Sequence, residues 1–113
     1  MGSSTERAFK LGGYEVFLAQ NGEDALTMLL SGNLIPDVIV MDVAMPKLGG
    51  LGLLKKIKQE VRLNTIPVAV LTNSFTPHTM EDFKEADADL YLVKMVHSPK
   101  EVVRKVDGLV QKI

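Results

Sequence analysis

Three short apolar runs, each closing on a polar residue, constrain this chain more than anything else in it. Val38, Ile39, Val40 and Met41 run into Asp42; Pro67 to Leu71 run into Thr72; and Asp89 to Val93 run into Lys94. Uninterrupted apolar runs of this length read as strands buried on both faces, and the Met45-Pro46 pair soon after Asp42 ends the first. The segments between them have helical spacing, so the order is that of a parallel α/β sheet. Parallel neighbours end at one edge of a sheet. A carboxylate, a hydroxyl and an ammonium would then converge at the carboxyl ends of the strands, where ligands gather in open α/β sheets. Taken singly, Asp42 could be a strand-end residue capping the next loop, Thr72 a β-branched strand residue and Lys94 a surface lysine. Their shared position weakens those readings.

The remaining elements follow from periodicity. Tyr14 to Ala19 is expected as a strand ahead of the three. Gly22 to Ser31 is a helix with Ala25, Leu26, Leu29 and Leu30 on one face, stopped by Gly32. Gly50 to about Arg62 is a helix with an apolar stripe of Leu51, Leu54, Ile57 and Val61. Thr76 and Pro77 supply an N-cap and first-turn proline for a short polar helix to about Ala86. Ser98, Pro99 and Glu101 form a capping box for a last helix whose stripe is Val102, Val106, Leu109, Val110 and Ile113.

At 113 residues and 46% apolar composition, the chain is one domain with one core. Thirteen basic and 14 acidic residues leave a net charge of -1, which gives no electrostatic footprint for nucleic acid or an anionic membrane. No apolar run approaches a membrane span, and the Met-Gly-Ser-Ser opening lacks the apolar stretch of a signal peptide. That opening looks like an expression scar. With no cysteine, disulfide scaffolds and thiolate sites are excluded, which suits a cytoplasmic protein. His78 and His97 have no partner at ligand spacing and read as surface residues, and the six methionines are scattered as core filler.

The string IVMDVAMPKLGG from Ile39 to Gly50, the LTNS around Thr72 and the YLVK ending at Lys94 resemble the receiver domain of two-component response regulators. The resemblance covers roughly residues 13–113, and its specificity lies in the order and spacing of all three sites. It implies a flavodoxin-like three-layer α/β sandwich with a parallel sheet, here N-terminally truncated. Residues 1–12 would be a tag and a remnant of the first helix, and 13–113 the truncated receiver domain. It further implies that Asp42 accepts a phosphoryl group from a histidine kinase or phosphotransfer protein, that Thr72 and Lys94 bind its oxygens, and that Thr72 and Tyr91 form the output switch. Such a domain is not an enzyme in the usual sense.

Departures from the family pattern matter as much. Receivers open with a strand ending in an acidic pair that holds Mg²⁺, followed by a first helix. Here Gly12, Gly13 and Tyr14 match the turn after that helix, and Ser3 to Leu11 can supply only its last turns. Glu6 is the lone acid there and does not carry over as a ligand. Asp42 and, by resemblance, the backbone carbonyl of Ala44 remain for Mg²⁺, which wants octahedral oxygen coordination, so a weak or absent metal site and impaired phosphorylation are expected. Met95 replaces a proline usually preceded by a cis bond, and that bond before a non-proline costs about 2.5–4 kcal/mol, so trans is expected. Gly49 stands where an acidic or amide residue is common.

In the family sheet order, 2-1-3-4-5, the absent strand would lie between the Tyr14 and Val38 segments. Two unpaired edges and an uncovered last helix are therefore expected; the Tyr14 segment sliding beside Val38 would relieve only the first, so a homodimer is the expected remedy. The alternative function is an engineered or trimmed receiver-fold fragment serving only folding or assembly. A nucleotide- or flavin-binding enzyme is disfavoured because no Gly-rich phosphate loop follows any strand.

Overall fold

The computed structural model describes residues 3–32, 35–42, 49–72, 77–93 and 97–110, with the side chains of residues 3, 4 and 77–79 outside that description. The element order is α1 (Ser3–Leu11), α2 (Gly22–Leu30), β1 (Ile39–Asp42), α3 (Gly49–Gln59), β2 (Val68–Thr72), α4 (Pro77–Glu85), β3 (Leu90–Val93) and α5 (Pro99–Val110). Among the described residues the sheet is parallel, three-stranded and ordered β1-β2-β3. Val40 faces Ala69 and Val70 faces Tyr91 in register. This is the α/β sandwich expected of the sequence.

Alternation along the strands sorts the core into two layers. Ile39, Met41, Val68, Val70 and Tyr91 point toward α2, α3 and α4, where they meet Leu29, Leu53, Leu54, Ile57 and Phe83. Val40, Ala69, Leu71, Leu90 and Leu92 point the other way, onto Phe9 of α1 and Val102, Val103 and Val106 of α5. All five residues of β2 are buried, as a central strand covered on both faces requires.

Local chemistry sets the ends. The capping box at α5 is reciprocal: the Glu101 N–H donates to Ser98 Oγ at 3.3 Å, and the Ser98 N–H donates to Glu101 Oε1 at 3.1 Å. These Ser98 contacts hold the Glu101 carboxyl below its usual value. Asn21 caps α2 by accepting the Asp24 N–H at 2.9 Å. At the start of β3 the Asp89 carboxylate accepts the Val68 N–H at 2.8 Å while the Asp89 N–H donates to the Val68 carbonyl, stapling β2 to β3. Gly13, at φ 93°, turns the chain out of α1 in the left-handed conformation that glycine adopts without strain.

Four expectations are corrected. Residues 14–19 belong to no helix or strand, and no strand among the described residues pairs with them. For the same reason the sliding arrangement is not adopted: β1 pairs with β2 alone. A sequence of strand character becomes a strand only when another backbone accepts and donates its hydrogen bonds. Second, α5 is not left uncovered. Phe9 is buried among Val102, Val103 and Val106, its ring meets Tyr14 edge-on at 5.2 Å, and the Tyr14 hydroxyl donates to the Asp107 carboxylate. Burial, and then Asp107, push the Tyr14 hydroxyl pKa up to about 12. Third, Val61 is 83% exposed, because α3 ends at Gln59 and the turn that follows carries Val61 off the stripe; Leu53 is buried on the helix instead. Fourth, His97 is part-buried rather than a surface residue: its side chain is 21% exposed, with Nδ1 3.8 Å from Glu101 Oε2 and no hydrogen-bond partner among the described residues. Ile113 lies outside the described residues, as do Thr76 and the His78 side chain.

Candidate functional site

The site is built by strand register. Asp42 is the last residue of β1 and stands opposite Leu71, and Thr72 is the last residue of β2 and stands opposite Val93, the last of β3. Because all three strands run the same way, the Asp42 carboxylate and the Thr72 hydroxyl lie at one edge of the sheet on adjacent strands. Thr72 is 6% exposed and Asp42 half-buried, and neither stands alone in the structure. Lys94 follows Val93 directly in the sequence but lies outside the described residues, as do Ala44 and the Lys94-Met95 bond.

Tyr91 sits two residues before the end of β3. Alternation puts it on the same face of the sheet as Val70 and Thr72, toward α4. Its ring packs on Phe83 at 5.9 Å with an interplanar angle of 46°, and its hydroxyl is buried with no hydrogen-bond partner among the described residues. A buried hydroxyl left unsatisfied costs free energy that a shift toward a polar partner would recover. Phe83 escaped sequence reasoning, although a lone aromatic in the polar helix Pro77–Glu85 was the signal available. Gly49 opens α3 with φ 69°, a conformation that side-chain-bearing residues avoid.

The donor set for a divalent cation is thin. Among the described residues no three His, Cys, Asp or Glu side chains come together as metal ligands, and Asp42 is the one carboxylate that ends a strand at this edge. That set does not meet the octahedral oxygen demand of Mg²⁺. A cleft of about 570 Å³ lined by Lys58, Asn64, Lys84, Asp87 and Asp89 lies at the opposite edge, where β3 begins, and is remote from this chemistry. No helix among the described residues is long and apolar enough to cross a membrane.

Comparison with known proteins agrees with this geometry. The family model described as "Response regulator receiver domain" matches residues 1–107. The "Probable transcriptional regulator ycf27" of Cyanophora paradoxa is 36% identical over 100 residues, 88% of this chain and 39% of that protein. The "Gliding motility regulatory protein" of Myxococcus xanthus is 34% identical over 97 residues, 86% of this chain and 12% of that protein. The chain therefore spans well under half the length of these curated relatives. Among solved structures, a putative response regulator from Chloroflexus aurantiacus superposes with a TM-score of 0.85 at 31% identity, covering 94% of this chain and 84% of that one. The receiver domain of a signal transduction histidine kinase from Syntrophus aciditrophicus gives 0.84 at 29%, covering 96% and 80%. On the strength of the family match over residues 1–107 and of these relatives, the chain belongs to the response regulator receiver domain family.

Proposed function

We propose that this receiver works in a phosphorelay with Asp42 as its phosphoryl acceptor. The observation that carries the reading is the parallel register, which brings Asp42 and Thr72 to one edge beside the strand that leads into Lys94. The donor is a histidine kinase or phosphotransfer protein. A carboxylate oxygen of Asp42 attacks the phosphorus, the P–N bond of the phosphohistidine breaks, and the departing imidazole nitrogen takes a proton. Thr72 donates a hydrogen bond to a phosphoryl oxygen, and Lys94 neutralises charge there. Tyr91, with its unsatisfied hydroxyl, moves in response to Thr72 and reports the phosphorylated state at the surface. Residues 13–113 form the receiver unit, with α1 (Ser3–Leu11) ahead of it, and the setting is cytoplasmic.

The incomplete donor set for Mg²⁺ makes the transfer inefficient, because no well-held cation offsets the charge developing on the phosphoryl group. Incubation with a small phosphodonor and Mg²⁺, read by intact mass, tests this. A partial single phosphorylation that vanishes in Asp42→Asn is expected. Label that persists in Asp42→Asn, or none at all, removes Asp42 as acceptor; complete labelling removes the claim of impairment.

A second reading, an assembly module without phosphotransfer, is favoured by the edge of β1 that no described strand covers. It predicts self-association with no phosphorylation.

A further inference from the structure

Asn21 and Gly22 form the one pair in the chain in which an asparagine precedes a glycine; Asn33, Asn64 and Asn73 precede Leu34, Thr65 and Ser74. The order matters chemically. A main-chain nitrogen can close a five-membered ring on the side-chain amide carbon of the residue before it, and a β-carbon on the attacking residue hinders that closure. Glycine has none. Gly22 is also the first residue of α2, so its N–H has no helical carbonyl to bond. An unhindered nitrogen outside the helix ladder thus adjoins a side-chain amide.

What keeps the two apart is the helix cap. Asn21 Oδ1 accepts the Asp24 N–H at 2.9 Å, and Asn21 Nδ2 donates to Asp24 Oδ2 at 3.2 Å. The Asn21 carbonyl accepts the Ala25 N–H at 3.0 Å. Both polar atoms of the side-chain amide are therefore held by one residue three positions on, in a residue only 9% exposed. The main chain is extended there, at φ -157° and ψ 174°. Ring closure needs the Gly22 nitrogen against the face of the amide carbon, whereas these bonds fix the amide on Asp24. The first turn of α2 must loosen before Asn21 can react, and a helix end is where local opening costs least.

We propose that Asn21 is a site of spontaneous deamidation whose rate is set by opening of the α2 cap. The Gly22 nitrogen sheds its proton to solvent and bonds to Asn21 Cγ; the bond from Cγ to Nδ2 breaks, and Nδ2 leaves as ammonia after taking a proton back from solvent. Water then opens the ring. Attack at Cγ leaves aspartate with the ordinary main chain, and attack at the main-chain carbonyl leaves isoaspartate, whose chain runs through Cγ. Overall, one amide and one water become one carboxylate and one ammonium ion, with no oxidant or reductant. Either product sets a new negative charge beside the Asp24 carboxylate, and isoaspartate also lengthens the main chain at the cap. The inference does not depend on phosphotransfer.

Incubation of the 113-residue chain in mildly alkaline buffer, read by peptide mapping and by enzymatic methyl labelling of isoaspartate, tests it. In full denaturant, Asn21 should be the first asparagine to convert. In native buffer it should convert about five-fold or more slowly, the factor that a typical cap is worth. Asp24→Ala removes the acceptor of Nδ2, and should speed native conversion at least about two-fold while leaving the denatured rate alone. Native conversion should rise only weakly with urea below the unfolding transition, because opening a cap exposes little surface. Equal native and denatured rates, or Asn64 or Asn73 converting first in denaturant, would overturn the proposal. So would an unchanged native rate in an Asp24→Ala variant that keeps the parent's far-UV circular dichroism. Should that variant misfold, the urea series on the parent chain decides: a native rate that climbs as steeply as global unfolding overturns the cap as the gate.

Discussion

The two sides of the sheet solve the same problem differently. Toward α3 and α4, β2 is flanked by β1 and β3, and Leu53, Leu54, Ile57 and Phe83 close over Val68 and Val70 so fully that each is at most 2% exposed. On the other side, at the β1 flank, residues 14–19 carry a strand-like sequence and remain outside the sheet, with Phe17 and Leu18 half-exposed. The difference is not one of propensity, because Tyr14, Val16, Phe17 and Leu18 suit a strand as well as Val68 to Leu71 do. It is one of pairing. β2 has two neighbours to exchange hydrogen bonds with; residues 14–19 have none among the described residues. What holds this flank to the body is side-chain chemistry through Phe9, Tyr14 and Asp107.

The largest test of that contrast is truncation of the anchor. Phe9→Ala should cost about 3–5 kcal/mol in denaturant unfolding, as much as the about 2–5 kcal/mol expected for Leu54→Ala in the closed layer. Phe9 is 6% exposed and serves as the wedge between α1 and α5. A loss below about 1 kcal/mol, the range of ordinary surface changes, would mean that α1 is an appendage rather than part of the core.

A smaller effect sharpens the same point. The Tyr14 hydroxyl is raised from 10.0 to about 12 by burial first and by Asp107 second. Its folded value lies above its unfolded one, so its contribution to stability is complete below pH 10 and is lost as pH rises toward about 12. In a Tyr91→Phe background, phenolate absorbance should therefore appear late. Asp107→Asn should bring it only part of the way back, since burial remains. Titration at the ordinary tyrosine value in both proteins would mean that the Tyr14 contact does not persist in solution.

Much of this architecture is legible in the sequence, for definite reasons. β1, β2 and β3 announce themselves because buried parallel strands must be continuously apolar, and the polar residue that stops each run marks the edge where the site lies. The α5 capping box is readable because Ser98 and Glu101 satisfy each other locally, whatever the rest of the chain does. Residues 14–19 mislead because strand pattern reports which side chains fit a sheet and not whether a partner is present. Val61 misleads because helical spacing does not show where α3 stops. Val103, Phe83 and the Tyr14–Asp107 contact come from packing between elements far apart in sequence, which no local pattern encodes. For the candidate site, Asp42 and Thr72 are readable as the polar residues that close two apolar runs, Tyr91 enters only through the family resemblance, and its pairing with Phe83 depends on how α4 docks.

Amide hydrogen exchange compares the two regions directly. Val68–Thr72 should exchange only through global opening, while residues 15–18 should exchange at close to unprotected rates, since they belong to no helix or strand among the described residues. Protection of 15–18 approaching that of β1 would show that this segment is a paired strand after all, and would contradict the account.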